Sequence, residues 1–285
     1  MFEFLSRIFR PAAGRFDLQF AQALKKGMRR MSPNAVRVLR GAIESTQADN
    51  GLFRGRSGQG DLYYTFFALP LARLVRARFD RSACRRAVAS IPLSDLDVVH
   101  AVAAMRLRRM LRLPVRQEML TALLDLPAAS YPQGDPETPY SRFIITAAFR
   151  DFGLSDPPAD FAAYRTGRGG YANVKGATLP AVNATAAALF LLAGDVRREA
   201  AEALQSLQEP DGSFKAVHSA PQGDVLSTAT AAFALHVHDY QLRQTAKPFL
   251  RACFRDTGLF AATPDDPVGD LEYTAYGLLL MGLTP

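Results

Sequence analysis

The chain has 285 residues, and 48% of them are hydrophobic, which is enough for one large domain with a sizeable core. Its two cysteines, Cys84 and Cys253, lie far apart and outside any Cys-x-x-Cys motif, which argues against a disulfide framework or a cysteine-based zinc site. No apolar run approaches the ~20 residues that span a bilayer, and charge interrupts the N-terminus too early for a signal peptide. We therefore expect a cytoplasmic protein.

The net charge of +7 is concentrated in one part of the chain. Residues 73–116 contain eleven arginines and three aspartates, so this segment alone carries +8 and the remainder is close to neutral. A basic face of this kind attracts anionic lipid or an acidic protein partner, and the alternative is a solvated outer helix surface. No basic motif interleaved with aromatic residues is present, so we expect no nucleic-acid partner.

Residues 1–34 form a predicted helical extension. Between residues 2 and 10, phenylalanines and aliphatic residues alternate with arginines. This pattern fits either a short amphipathic anchor on a membrane, which would make the protein peripheral, or a helix packed against the main body. We favour the packed helix.

Residues 35–285 form a series of repeats, each marked by a glycine–aromatic pair and a later threonine. The glycine-to-threonine spacing is 14 residues in the first repeat and 16 in the others, and the last three repeats start 43 and 46 residues apart. A period in this range is typical of repeat architectures. The repeats contain Gly51, Phe53 and Thr65; Gly169, Tyr171 and Thr185; Gly212, Phe214 and Thr228; and Gly258, Phe260 and Thr274.

Each repeat has a predicted helix before the glycine loop and another after it. The second helices are rich in alanine and threonine, so they fit an inner layer in which helices approach closely. Two degraded units fill the gap between Gly51 and Gly169, one around residues 95–101 and one near 138–149. Six pairs that close into a ring leave no exposed repeat end. The predicted first helices cover 36–46, 197–207 and 242–254, and the second cover 61–74, 182–193, 226–237 and 271–282.

Several of these segments resemble known toroids. Residues 47–55 with 61–69 resemble the repeat of protein prenyltransferase β subunits, and residues 269–276 resemble the final repeat of that family. Residues 208–214 are similar to the Q-x-x-x-G-x-W motif of squalene and oxidosqualene cyclases, with Phe214 in place of tryptophan. The resemblance covers most of residues 35–285 and implies an all-α, α6–α6 toroid of six inner and outer helix pairs around a central apolar cavity.

The resemblance does not extend to the zinc site of the prenyltransferases. That family binds zinc through an aspartate, a cysteine two residues later and a histidine in the last repeat. The matching positions here are Asp224, Leu226 and Tyr273, so one ligand remains of the three that a catalytic zinc needs. We expect no zinc and no ordinary protein prenylation.

A second point of resemblance is a short motif of acidic residues. Class II terpene cyclases protonate an alkene with the middle aspartate of D-x-D-D, and residues 95–98, Asp-Leu-Asp-Val, keep the first two acids. We align Asp95 with helix-capping aspartates that lie four residues before the threonine. The resemblance then places the position two residues later at the cavity mouth. The capping set is Asp61, Asp95, Asp224 and Asp270, and the cavity set is Tyr63, Asp97, Asn183, Leu226 and Glu272.

The predicted catalytic residues follow from that alignment. Asp97 would be the proton donor or a Mg²⁺ ligand, with Asp95 and Glu272 as its supports, because two neighbouring carboxylates raise one another's pKa. His100 lies three residues after Asp97 on the same helix face and could orient it. The alternatives are acids placed in first helical turns by the helix dipole and a packed histidine.

The predicted substrate-binding residues are aromatic, amide or cationic. The aromatic residues would line the cavity and stabilise a carbocation, or only fill space. The cations lie in the glycine loops and would meet a diphosphate, or remain solvated. The full set is Tyr63, Tyr64, Phe67, Asn183, Tyr273, Tyr276, Arg54, Arg56, Lys175 and Lys215.

Two functions remain open from the sequence. The first is an isoprenoid- or lipid-processing enzyme, either an acid-initiated cyclase or a transferase assisted by Mg²⁺ and lacking zinc. The second is a non-catalytic toroid that binds a lipid or peptide tail, or docks a protein partner or membrane surface through residues 73–116. Fold alone does not decide between them.

Overall fold

The computed structural model describes residues 16–126 and 137–284, and within them the chain is mainly helical. Two short hairpins are present, with strand β1 (Phe53–Arg54) antiparallel to β2 (Gly60–Asp61) and β3 (Phe260–Ala261) antiparallel to β4 (Gly269–Asp270). The helices are α1 (Phe16–Met28), α2 (Pro33–Ser45), α3 (Leu62–Val75), α4 (Arg81–Ser90), α5 (Val98–Met110), α6 (Gln117–Thr121), α7 (Pro139–Asp151), α8 (Val182–Leu191), α9 (Gly194–Ser206), α10 (Val225–Val237), α11 (Lys247–Ala252) and α12 (Leu271–Leu283).

Six of the helices form a closed inner ring. In chain order α3, α5, α7, α8, α10 and α12 each contact the next, and α12 returns to contact α3. Small side chains permit this close approach, and Ala184, Ala186 and Ala188 on α8 are fully buried. The predicted all-α toroid is confirmed.

The outer layer is uneven. Helices α2, α4, α9 and α11 pack against α3, α5, α8 and α12. The outer positions before α7 and α8 hold shorter elements, which are α6 with the 3₁₀ turn Ala122–Asp125, and the 3₁₀ turn Ala162–Tyr164. Pro157 and Pro158 precede the latter turn, and proline cannot continue a helix.

The glycine–aromatic signature is explained by one hydrogen bond per repeat. The backbone N–H of the aromatic residue donates to the hydroxyl of the later threonine, which lies one turn into the inner helix. This bond satisfies a buried donor and fixes the loop against the helix. The donor–acceptor distances are 2.9 Å for Phe53 and Thr65, 3.0 Å for Tyr171 and Thr185, 2.9 Å for Phe214 and Thr228, and 3.0 Å for Phe260 and Thr274.

The repeat glycine is required for conformation and for space. Gly212 has φ +87°, and a Cβ there would lie 2.2 Å from the carbonyl oxygen of Thr245. The Gln208 amide then bonds the carbonyls of Gly212 and Gln244 at 2.9 and 2.8 Å. The recurring spacing of the motif within the chain thus reflects contacts between neighbouring repeats.

Helix α1 lies across the ring at the C-terminal ends of the inner helices. Its backbone meets that of α12 at two glycines, because a Cβ on Gly27 would lie 1.9 Å from the oxygen of Leu278 and one on Gly282 would lie 2.1 Å from that of Ala23. The Phe16 ring contacts phenylalanines on α7, α8 and α10. Residues 16–28 are therefore a helix packed on the toroid. The anchor hypothesis concerns residues 2–10, which lie outside the described residues.

Many arginines lie at the same end of the ring, where they bond helix C-terminal carbonyls. Arg40 donates to Val75 at the end of α3 at 2.6 Å, and Arg85 donates to Leu111 after α5. Arg109 donates to the carbonyl of the last residue of α7. Cations stabilise helix C-termini through the helix dipole. Part of the charge of residues 73–116 thus serves the fold, and the expected basic face does not include Arg106, which is buried.

Candidate functional site

A cavity of about 240 Å³ lies inside the ring, above α1. Its wall is largely aromatic, and its polar lining includes Arg106, Asn183 and Thr230. The aromatic residues that line it are Phe16, Phe20, Tyr63, Phe66, Phe67, Tyr140, Phe143, Phe190, Phe233 and Tyr276. This composition suits an apolar molecule with few polar groups.

Four of the six inner helices, α3, α5, α10 and α12, begin after an aspartate that caps them. Asp61, Asp97, Asp224 and Asp270 each accept a hydrogen bond from the backbone N–H three residues later. An aspartate at this position satisfies one of the free donors of the first helical turn. Two residues after their caps, Tyr63, Val99 and Leu226 line the cavity, whereas Glu272 lies behind the lining and bonds Tyr63.

The alignment of Asp95 and Asp97 from the sequence is wrong. Asp97, rather than Asp95, caps α5, so Val99 takes the cavity position and Asp97 does not. Asp95 ends the 3₁₀ turn Leu93–Asp95 and is exposed. The physical reason is that no glycine–aromatic loop precedes α5 to fix its start, and a 3₁₀ turn occupies the place of its first residues.

Glu272 is a buried acid beside the cavity, to which it is joined through the cavity-lining Tyr63. The residue is 7% exposed, and the Tyr63 hydroxyl donates to its Oε1 at 2.7 Å. Burial, with the charge of Asp270 adding to it, raises the pKa of Glu272 to about 7. Near neutral pH the carboxyl is therefore divided between its protonated and ionised forms.

His100 joins two caps rather than orienting a catalytic acid. Its Nδ1 lies 2.9 Å from Asp97 Oδ1 and its Nε2 lies 3.2 Å from Asp61 Oδ2. The hydrogen bond with Asp61 is the main reason why the pKa of His100 is raised to about 9, with burial opposing and Asp97 adding. At neutral pH this side chain is an imidazolium between two carboxylates, which stabilises the junction of α3 and α5.

The predicted aromatic residues fall into two groups. Tyr63, Phe67 and Tyr276 line the cavity. Tyr64 and Tyr273 do not: Tyr64 lies against Gly55, and the Tyr273 ring lies under the Arg56 guanidinium, 5.1 Å from its centroid.

The predicted cations have separate partners and do not form one phosphate-binding group. Arg56 is paired with Asp266 and Asp270 at 2.7 and 2.6 Å. Lys175 lies 5.5 Å from the ring centre of Tyr164, and Lys215 lies 3.6 Å from Glu209 Oε1. Arg54 is exposed on β1.

The donor set at the zinc-equivalent positions does not fit that metal. The Asp224 carboxylate accepts the capping bond from Ser227, Leu226 offers no donor, and Tyr273 is stacked against Arg56. Across residues 16–126 and 137–284, no group of three or more His, Cys, Asp or Glu side chains is placed to hold an ion.

The ion pair between Arg106 and Asp151 was not predicted from the sequence. Its arginine lines the cavity next to Phe16 of α1, at the end that we call the cavity floor. Arg106 Nε donates to Asp151 Oδ2 at 2.9 Å, and the two side chains are 9% and 1% exposed. The Arg106 guanidinium lies 5.0 Å from the ring centre of Phe16 and 5.6 Å from that of Phe66. The available signal was an arginine within the apolar run 101–107.

The comparison with protein families agrees with this architecture. The family model of the prenyltransferase alpha-alpha toroid domain matches residues 148–282, which include α8 to α11 and nearly all of α12. The match confirms the similarity to prenyltransferase and terpene cyclase toroids that the sequence motifs indicate. No curated protein matches the chain. Within the described residues, no helix has the length and apolar character needed to cross a membrane.

Proposed function

Because the chain carries a prenyltransferase-type α/α toroid domain, we propose that it binds an isoprenoid or similar small apolar molecule in its central cavity and acts on it by acid–base chemistry at Glu272. The observation that carries the proposal is a buried carboxyl group, hydrogen-bonded by Tyr63, beside a cavity walled by aromatic rings. A carboxyl whose pKa lies near the working pH suits general acid–base catalysis.

The surrounding residues support this role. A protonated Glu272 can give its proton to an alkene or to a leaving oxygen, and the Tyr63 hydroxyl holds the carboxyl in place. Aromatic faces stabilise a developing cation through their quadrupole. The cavity, at about 240 Å³, is just below the roughly 300–1,000 Å³ of most ligand pockets, so we expect a small occupant.

Asp97 has a different part in this proposal from the one expected from the sequence. It holds His100 and caps α5, so it supports the wall of the site without being the acid. Transfer assisted by Mg²⁺ stays a hypothesis drawn from the resemblance, and dependence of turnover on added MgCl₂ would support it.

The second candidate is a non-catalytic toroid that binds a lipid or peptide tail. Phe16 and Phe20 of α1 occupy part of the ring interior and leave less room for a substrate, which favours a non-catalytic docking role, although the same filling disfavours a long tail. Docking of a protein or membrane through the exposed arginines of residues 73–116 belongs to the same candidate.

The first experiment is extraction and mass spectrometry of small molecules that copurify with the protein. A stoichiometric isoprenoid or related apolar molecule would support the proposal. A protein that carries a stoichiometric protein partner and no apolar molecule would favour the second candidate.

Catalysis is then tested by deuterium incorporation into geraniol, or into the molecule that extraction identifies, in D₂O. We expect Glu272→Gln to abolish protein-dependent incorporation while the fold remains. Asp95→Asn, a change in an exposed acid from the same sequence motif, is the matched control and should behave like the native chain. Incorporation that survives in Glu272→Gln would exclude Glu272 as the acid.

A further inference from the structure

The floor of the cavity contains a buried donor without a protein partner. Among the described residues, none accepts a hydrogen bond from Arg106 Nη2, although this atom is fully buried and its side chain is 9% exposed. Arg106 lines the cavity. An unpaired buried N–H of a charged group is costly, so the site favours an occupant that supplies an acceptor.

The charge of that occupant is limited by Asp151. The carboxylate of Asp151, which is 1% exposed, already neutralises Arg106 at 2.9 Å. A diphosphate or carboxylate at the cavity floor would therefore add an uncompensated negative charge in a largely apolar space, which is unfavourable. A neutral oxygen can accept the hydrogen bond without this cost.

A second polar atom in the wall is also without a partner. Asn183 Oδ1 is buried, has no hydrogen bond within the described residues, and belongs to the side chain that lines the cavity from α8. A hydroxyl group on the occupant could donate to it. The cavity thus offers hydrogen bonds to a neutral oxygen at more than one point of an otherwise apolar wall.

We infer that the molecule bound in the cavity carries one uncharged oxygen, as a carbonyl or hydroxyl, which accepts a hydrogen bond from Arg106 Nη2. The inference rests on the proposed binding of an apolar molecule in this cavity. Arg106 is nine residues past its helix cap and Glu272 is two past its own, so the oxygen would lie roughly 10 Å deeper than the Glu272 carboxyl. The acid would then act on the end of the molecule remote from its oxygen.

Three probes of one carbon skeleton test the inference on the native chain. Limonene is the hydrocarbon, carvone is the ketone, and perillate is the carboxylate, and their dissociation constants can be compared at pH 8 by competition against a fluorescent apolar dye. We expect carvone to bind about tenfold more tightly than limonene, because a hydrogen bond to a charged donor is typically worth at least that factor. Perillate should bind more weakly than carvone.

The outcomes separate this inference from the proposed function. Equal binding of limonene and carvone would overturn the inference and leave the apolar cavity intact. Tightest binding of perillate would overturn the requirement for a neutral occupant. Failure of all three probes to bind would count against both the inference and the proposed function.

Two variants locate the oxygen. Arg106→Lys keeps a positive charge opposite Asp151 but removes the forked guanidinium, so carvone should fall to the affinity of limonene while limonene is unchanged. Arg116→Lys makes the same change at an arginine that is 78% exposed and lies outside the cavity lining, and it should preserve the native ratio. A carvone preference that persists in folded Arg106→Lys would contradict the assignment. The probe series on the native chain decides the question if that variant does not fold.

Discussion

The regular repeats and the two degraded units of the ring have different tasks. The units of α3, α8, α10 and α12 each have a glycine–aromatic loop tied to a threonine of the inner helix. The sequence before α5 and α7 has no such loop, yet these two helices carry the buried pair Arg106–Asp151, and α5 carries His100. The repeat motif thus builds the scaffold, while the buried ion pair lies in the units that have lost the motif, and the buried acid Glu272 lies on a regular unit.

The largest effect should come from the buried ion pair of the degraded units. Asp151→Asn is nearly isosteric but leaves the Arg106 guanidinium buried without its counterion. We expect the free energy of unfolding, measured by urea denaturation at pH 7, to fall by about 4 kcal/mol.

An exposed ion pair is the matched control. Asp156→Asn removes the partner of Arg150, which lies 2.6 Å away, but these side chains are 48% and 32% exposed. This change should cost less than about 1 kcal/mol. Equal losses in the free energy of unfolding would show that the buried pair Arg106–Asp151 stabilises the fold no more than the more exposed pair does. That result would weaken the contrast between the regular and the degraded units.

The next largest effect concerns the scaffold of the regular repeats. Gly212→Ala places a Cβ 2.2 Å from the Thr245 carbonyl oxygen at φ +87°, so both strain and overlap oppose it. We expect a loss of about 3 kcal/mol in the free energy of unfolding. Gly176→Ala has a similar φ of +74° but no atom within 4 Å of the added Cβ. It should cost only about 1 kcal/mol, the cost of the left-handed backbone alone. A similar loss in both variants would mean that contact between repeats does not explain the motif.

The same contrast explains how much the sequence could predict. The ring was predictable because Thr65, Thr185, Thr228 and Thr274 recur 14 or 16 residues after a glycine, and this spacing reflects one hydrogen bond per repeat. The start of α5 was not predictable, because its unit lacks that reference and a 3₁₀ turn shifts the helix by two residues.

Contacts between segments that are distant in the chain could also not be predicted from the sequence. Arg106 and Asp151 are 45 residues apart, and no periodicity links them. Phe16 lies before the first repeat and reaches α7, α8 and α10 only because the ring is closed. Glu272 could be placed at the cavity from the family resemblance, but its hydrogen bond to Tyr63 depends on contact between the last inner helix and the first.

A further stability effect should be pH-dependent and should mark Glu272 as an acid kept for function. Its folded-state pKa of about 7 is above the ordinary value of 4.5, so the folded state prefers the protonated carboxyl. Stability is therefore lost as pH rises from 4.5 through 7. Glu272→Gln has no such titration, and we expect it to be more stable than the native chain by about 3 kcal/mol at pH 8 and equal to it at pH 4. His100 also loses stabilisation between pH 6.5 and 9, but it does so in both proteins, so the difference between their urea midpoints isolates Glu272.

A substitution that stabilises the fold above pH 7 yet abolishes turnover would show that this carboxyl is retained at a cost to stability, as expected for a catalytic acid. Equal stability at pH 4 and pH 8 would mean that Glu272 titrates normally and would remove the physical basis for its role.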